Sequence, residues 1–258
     1  SAPCYDPNLL VGRIRGENYN KLNADIAKPM LNRALIGQYP PGSIFKVAQS
    51  MVALDLGVIT PQSGFVCDKS LVGCHNHPSA TSVREGLKMS CNPYFYQVYR
   101  RVIQQGKYKN IYKDAQYGLT VWHDYMMRFG FGQKLDIDLP KNGLSKGNIP
   151  DTAFYNRWYG KERWAFSTIY SNSIGQGEVT VVPLQMANLA AIVANRGYYI
   201  TPHMVRFYGP DSVRNEKYLE RHETGIRREY FEIAADGMYD VVHVAGGTFT
   251  MGNNDARG

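Results

Sequence analysis

The run Tyr39-Pro40-Pro41-Gly42-Ser43-Ile44-Phe45-Lys46, with the apolar stretch behind it, constrains the fold more than any other part of the chain. Neither proline can continue a helix backwards, and the glycine lets the backbone turn tightly. A helix predicted over Ile44 to Leu56 therefore starts at once and stops at Gly57. The spacing also carries chemistry. Ser43 and Lys46 stand at i and i+3, so a hydroxyl and an amine can meet on one helix face. A serine hydroxyl is a poor nucleophile near neutral pH and needs a base within hydrogen-bond reach. A lysine serves only where burial or a nearby cation favours its neutral form. Free backbone N–H groups at such a helix start also favour developing negative charge. Ser-x-x-Lys alone is common at solvated helix starts, so a second signal is required.

Ser90-Cys91-Asn92 supplies it. It follows a helix predicted over Ser82 to Met89, which opens on a Ser82/Glu85 capping box. A hydroxyl and a carboxamide two residues apart, on a turn between helices, can face one cleft. There the hydroxyl relays a proton and the carboxamide grips a substrate amide. In this order the two motifs match the first two of three signatures of penicillin-binding proteins and class A β-lactamases.

The likeness extends along nearly the whole chain. Tyr39–Lys46, Leu56-Gly-Val-Ile-Thr60, Ser90–Gln97, Phe129-Gly-Phe-Gly132, Ile137-Asp-Leu-Pro140, Ile174-Gly-Gln-Gly177, Thr180–Met186, Ala235–Tyr239 and Gly246-Gly-Thr248 resemble the transpeptidase domain of a class B penicillin-binding protein of the elongation type, penicillin-binding protein 2. The resemblance implies an α+β penicillin-binding-protein/β-lactamase-like transpeptidase fold, as one domain over residues 1–258. The chain is expected to cover mainly the helical part, with most of the central antiparallel sheet missing at both ends. The third family motif, Lys-Thr-Gly or Lys-Ser-Gly, is expected some two dozen residues after Gly246-Gly-Thr248, and the chain ends before it. That strand supplies half of the family's oxyanion hole, so these residues by themselves are expected to be inactive or nearly so.

By the same resemblance, Ser43 attacks the D-alanyl-D-alanine carbonyl of a peptidoglycan stem peptide while Lys46 takes its proton. Ser90 passes a proton to the leaving amine, Asn92 holds the stem-peptide amide, and an amine from a second stem peptide resolves the acyl-enzyme. β-Lactams are expected to acylate Ser43, and a membrane glycan polymerase and elongation-complex proteins are expected partners. No cofactor is implied. A periplasmic location with an N-terminal inner-membrane anchor is expected for the parent protein. The alternatives are a β-lactam sensor domain and a catalytically inactive scaffold. A β-lactamase would need a carboxylate beside the motifs to activate water, and none stands there.

At 258 residues and 44% hydrophobic content, the chain can bury a substantial core. The net charge is +7, but the basic residues are dispersed among acids, which argues against nucleic-acid binding. No apolar run of about 18 residues or more is present. Further helices are predicted over Pro93–Gln105, Leu119–Phe129, Pro183–Asn195 and Arg228–Val242, the Pro183 helix being apolar around most of its circumference. Tyr198–Pro202 and His203–Phe207 read as short strands or extended edges. Thr60–Ala80 and Leu139–Ser171 read as loops with few regular elements.

Cys67, Cys74, His75 and His77 cluster in the first of these loops. A short disulfide, a structural zinc site and unligated side chains all remain open for them. Some elongation-type family members are said to hold a zinc in this loop. Cys4 and Cys91 read as free small residues. Gly130-Phe-Gly132 and Gly175-Gln-Gly177 fit no nucleotide-binding pattern and read as turns, the second bringing backbone close to the cleft. The 19 tyrosines suit packing, with hydroxyls sent to water, better than a glycan-stacking surface.

Overall fold

The structure, a computed structural model, describes residues 3–210, 213 and 215–250. Helices α1 (Arg15–Ala24), α2 (Arg33–Ile36), α3 (Phe45–Asp55), α4 (Val83–Lys88), α5 (Asn92–Ile103), α6 (Ile111–Arg128), α7 (Thr152–Tyr159), α8 (Phe166–Ile169), α9 (Pro183–Ala194) and α10 (Arg228–His243) form its framework. Strands β1 (Tyr198–Ile200) and β2 (Arg221–Glu223) make a two-stranded antiparallel sheet, with Tyr199 opposite His222. A helix-rich body with one small sheet among the described residues is what the family likeness leads one to expect. No described helix is long and apolar enough to cross a membrane.

Helix α3 is the axis of the core. Every residue from Phe45 to Leu54 is buried, and α4, α5, α6 and α10 pack around it. Two polar residues inside this wall are satisfied. Gln49 Nε2 donates to Asn172 O (2.9 Å), Gln49 Oε1 accepts from Trp122 Nε1 (2.8 Å), and Ser50 Oγ donates to Val47 O (2.8 Å). Most buried polar groups in folded proteins have such partners. Phe45 meets Trp122 and Phe131 edge-on, with centroids 6.2 and 5.5 Å apart.

Helix α4 starts at its Ser82 cap, whose Oγ accepts the Glu85 N–H (3.2 Å). The box is shifted by one residue, because the Glu85 carboxylate reaches Thr81 N (2.8 Å) and Oγ1 (2.7 Å). Helix α10 lies closely against α4. A Cβ at Gly237 would stand 2.8 Å from Leu87 Cβ and Cδ1, so only glycine permits this approach. The same pair is clamped by Arg84, which donates to both carboxylate oxygens of the buried Asp240 (2.6 and 2.8 Å) and to Asp236 (3.1 Å). Bidentate geometry of this kind fixes orientation as well as distance.

Several elements depart from the sequence expectation. Helix α6 begins at Ile111 rather than Leu119, because Asn110 Oδ1 accepts the N–H groups of Tyr112 and Lys113 (2.9 and 3.2 Å) and opens two further turns. The span Leu139–Ser171 holds α7, capped by Asp151 accepting from Phe154 N (2.7 Å), and α8. No strand forms over His203–Phe207. The Asp138 carboxylate accepts the N–H groups of Met204 and Val205 (2.9 and 2.8 Å), and those groups then join no ladder. Strand β2 takes the place beside β1. Helix α9 buries one face only, through Gln185, Asn188, Leu189, Ile192 and Val193, while Ala187, Ala190 and Ala191 are exposed. Gln185 explains its own burial, since Nε2 serves the carbonyls of Gly130, Gln133 and Lys146 (3.2, 3.0 and 3.0 Å). The core tyrosines send their hydroxyls to protein rather than water, as when Tyr94 donates to Ser63 O (2.8 Å).

Candidate active site

Three local features bring the site together. The turn Gly42–Ile44, a single 3-10 turn, carries the exposed Ser43 into α3. One turn further on, Lys46 points inward and is 1% exposed. The turn between α4 and α5 delivers Ser90 and Asn92. Ser90 itself sits at φ +48, a left-handed conformation that glycine normally takes at a helix C-terminus. Its N–H closes onto Leu87 O (2.9 Å) and that of Cys91 onto Gly86 O (3.1 Å). A serine held there costs about 1 kcal/mol. The strain keeps a hydroxyl where a helix end would otherwise have none.

Lys46 binds this turn with all three of its N–H groups. They reach Ser90 O (2.7 Å), Ser90 Oγ (3.0 Å) and Asn92 Oδ1 (2.6 Å). These acceptors are neutral and the surroundings are dry, so burial pushes the Lys46 pKa down to about 8. Asn92 Nδ2 donates to Gly73 O (2.7 Å), which ties the carboxamide to the loop before α4. One donor and one acceptor position of that carboxamide remain unused. Ser43, Lys46 and Ser90 line one cavity of about 250 Å³, with Ile44, Val47, Leu87, Met238, Val241 and Thr248. The Ser43 hydroxyl is not among the lysine's hydrogen-bond partners; the two residues share the cavity wall. Nothing in the two motifs pointed to Met238, Val241 or Thr248 as its opposite wall.

Gly175 holds the Ser43 turn from behind. Its carbonyl accepts the Gly42 N–H (2.9 Å), its φ is +68, and a Cβ there would stand 2.4 Å from Gly42 O. Gly175→Ala is expected to lower stability by about 2–4 kcal/mol and to slow acylation by a β-lactam at least about tenfold, since the turn must shift. Thermal denaturation and stopped-flow acylation measure the two effects. An unchanged acylation rate would separate this glycine from the site.

Beside the site lies a second cluster. Sγ of Cys67, Cys74 and Cys91 and a ring nitrogen of His77 all fall within 4.8 Å of one another. His77 Nε2 is 3.1 Å from Cys74 Sγ and 3.6 Å from Cys67 Sγ, while its Nδ1 faces Pro78 O at 2.6 Å. Two expectations change here. Cys91 is a member of the cluster rather than an isolated small residue, because the loop folds back over the turn that carries it. His75 is not a member; its ring lies tilted against that of His77, with centroids 4.5 Å apart. No disulfide joins these cysteines. Three thiols and one imidazole, with the second ring nitrogen held by a carbonyl, form a donor set suited to tetrahedral zinc. The cluster touches the Ser90–Asn92 turn twice, through Cys91 itself and through Asn92 N donating to Cys74 Sγ (3.4 Å).

Residues 1–256 match the family model described as the penicillin binding protein transpeptidase domain. The chain belongs to this family. Among curated relatives, the peptidoglycan D,D-transpeptidase MrdA of Acinetobacter baumannii is 30% identical over 259 residues, covering 94% of this chain and 35% of that protein. Among solved structures, Pseudomonas aeruginosa PBP2 in complex with WCK 5153 is 29% identical with a TM-score of 0.78, over 96% of this chain and 54% of that one. Penicillin-binding protein A from Mycobacterium tuberculosis, as an imipenem acyl-enzyme complex, is 25% identical with a TM-score of 0.63, over 95% and 53%. The chain is of the elongation-type, class B kind that its motifs imply, and it spans about a third of the length of the curated relatives it matches.

Proposed function

We propose that the protein bearing this chain is a peptidoglycan D,D-transpeptidase of cell-wall elongation, acting through an acyl-enzyme at Ser43. The observation that carries this reading is the Lys46 ammonium, buried and bound to Ser90 and Asn92 in the cavity that Ser43 also lines. An amine whose pKa is drawn down to about 8 is close to the range in which a base works best near neutral pH.

In this mechanism Ser43 Oγ attacks the carbonyl between the two terminal D-alanines of a donor stem peptide. Neutral Lys46 takes the hydroxyl proton, and Ser90 Oγ, already bonded to the lysine, carries a proton on to the departing D-alanine nitrogen. Asn92 offers its unused donor and acceptor to the stem-peptide backbone. An amine of a second stem peptide then replaces Ser43 at the carbonyl. A β-lactam enters the first half of this sequence and stops there. Cys67, Cys74, His77 and Cys91 would hold zinc as a structural tie, since four protein donors leave no position for substrate. Periplasmic action, an inner-membrane anchor, a glycan polymerase and elongation-complex proteins as partners belong to the same proposal, on the strength of the MrdA and PBP2 likenesses.

Proteolysis and mass spectrometry after exposure to a penicillin test it. The acyl mass is expected on the peptide that carries Ser43, and a D-alanyl-D-alanine peptide is expected to release D-alanine. An adduct elsewhere in the chain would end the assignment. The lysine gives a pH signature as well. Below its pKa Lys46 is protonated and cannot accept the serine proton; above it the amine is free. The acylation rate is therefore expected to rise about tenfold from pH 7 to 9 and then to level off. A rate that falls over this interval would remove the lysine as base.

A further inference from the structure

The reaction proposed above has two substrates, and the structure shows two adjoining recesses. The first is the cavity of Ser43, walled largely by aliphatic side chains. The second is a groove of about 920 Å³ between the loop His75–Thr81, helix α4 and the segment Ala245–Thr248. They share Thr248, and they are separated by a wall only four residues long. Leu87 and Ser90 face the cavity, whereas Lys88 and Met89 face the groove. The Lys88 carbonyl accepts the Thr248 N–H (3.2 Å), which fixes the wall to the far rim.

The groove has a chemistry of its own. Its acid, Glu85, is already committed to Thr81 through two hydrogen bonds. Its cation, Lys88, has no carboxylate within 4 Å among the described residues, while the neighbouring Arg84 takes both Asp236 and Asp240. Lys88 acts on Glu85 and Asp240 only from beyond ion-pair distance, and an ammonium so placed at the edge of the cavity is suited to a carboxylate on an incoming molecule.

We infer that this groove is the acceptor site, and that Lys88 binds a carboxylate of the amine-bearing acceptor strand. The inference rests on the transpeptidase reading. The acceptor's carboxylate docks on Lys88 and its amine reaches across the wall at Ser90. The amine nitrogen bonds to the acyl carbon, the ester bond to Ser43 Oγ breaks, and the amine's surplus proton ends on that oxygen. Lys88 is a binding residue for the second substrate and takes no part in acylation.

The test separates the two half-reactions on the full-length protein. A thioester donor that acylates Ser43 is supplied with a D-amino acid acceptor, or with the same acceptor as its amide, and aminolysis is measured against hydrolysis. Lys88→Gln is expected to raise the acceptor concentration for half-maximal aminolysis about tenfold. The rates of penicillin labelling and of acyl-enzyme hydrolysis should stay within about twofold of the parent. The amide acceptor should already be poor with the parent and should lose nothing further with the variant, and Lys88→Arg should restore much of the preference. Equal acceptor dependence in parent and Lys88→Gln overturns the inference, as does a tenfold loss of penicillin labelling, which would move Lys88 to the donor side. A protein that no penicillin acylates overturns the transpeptidase reading itself, and this inference with it.

Discussion

Alanine at position 43 is expected to abolish covalent labelling by a fluorescent penicillin and to leave the melting temperature within about 2 °C of the parent. Ser43 is exposed on its turn, so removing its oxygen empties no buried space. Chemistry falls to nothing because, in the proposed mechanism, the Ser43 oxygen is the one that forms the acyl bond. Lys46→Met gives the contrasting result. The methionine fills much of the lysine's volume, but it leaves Ser90 O, Ser90 Oγ and Asn92 Oδ1 without their common donor. That variant is expected to lose about 1–3 kcal/mol of stability and to acylate about a thousandfold more slowly or worse. Gel fluorescence after timed labelling, read beside a thermal melt, distinguishes the two. Labelling retained by Ser43→Ala would remove this serine as nucleophile.

Stripping metal from the protein is expected to lower its melting temperature by about 10 °C or more, at roughly 2–4 °C per kcal/mol for a domain of this size. The fully loaded protein is expected to contain one zinc per chain by elemental analysis. Cys74→Ser should reproduce most of the loss. Acylation should slow in parallel, because Asn92 N rests on Cys74 Sγ and Asn92 Oδ1 holds Lys46. An intact mass two hydrogens lighter, with thiols unreactive and no metal found, would mark a disulfide instead. A metal-free protein with the same melt and the same acylation rate would show the four side chains to be unligated.

Helix starts were the most legible part of the fold. Proline inside the first turn marks α5 and α9, Ser82 marks α4, and each of those starts lies within a residue of its expected place. The signals at Asn110 and Asp151 were equally local, and each opened a helix or a run of turns that the apolar pattern alone had hidden. Strand β2 was not legible. Arg221-His222-Glu223 has no β-branched residue and no alternation, and it becomes a strand because β1 offers its backbone edge. In the site, the i, i+3 pair at Ser43 and Lys46 and the turn at Ser90 and Asn92 could be read, because each is local and chemically specific. Cys91 as a cluster member could not, since its partners reach it only after the loop from Cys67 to His77 has folded back. Buried Gln185 was hidden for a similar reason, as the three carbonyls it serves come from two separate loops.

The bare α-carbon at Gly237 reaches further than its own contact. Leu87 forms one bank of the Ser43 cavity and Met238 with Val241 the other, and the distance between the banks follows from how closely α10 rests on Leu87. Even one methyl at 237 would jack the two helices apart and widen the mouth of the cavity that Ser43 lines. The aperture is thus gauged by a residue that does not line it.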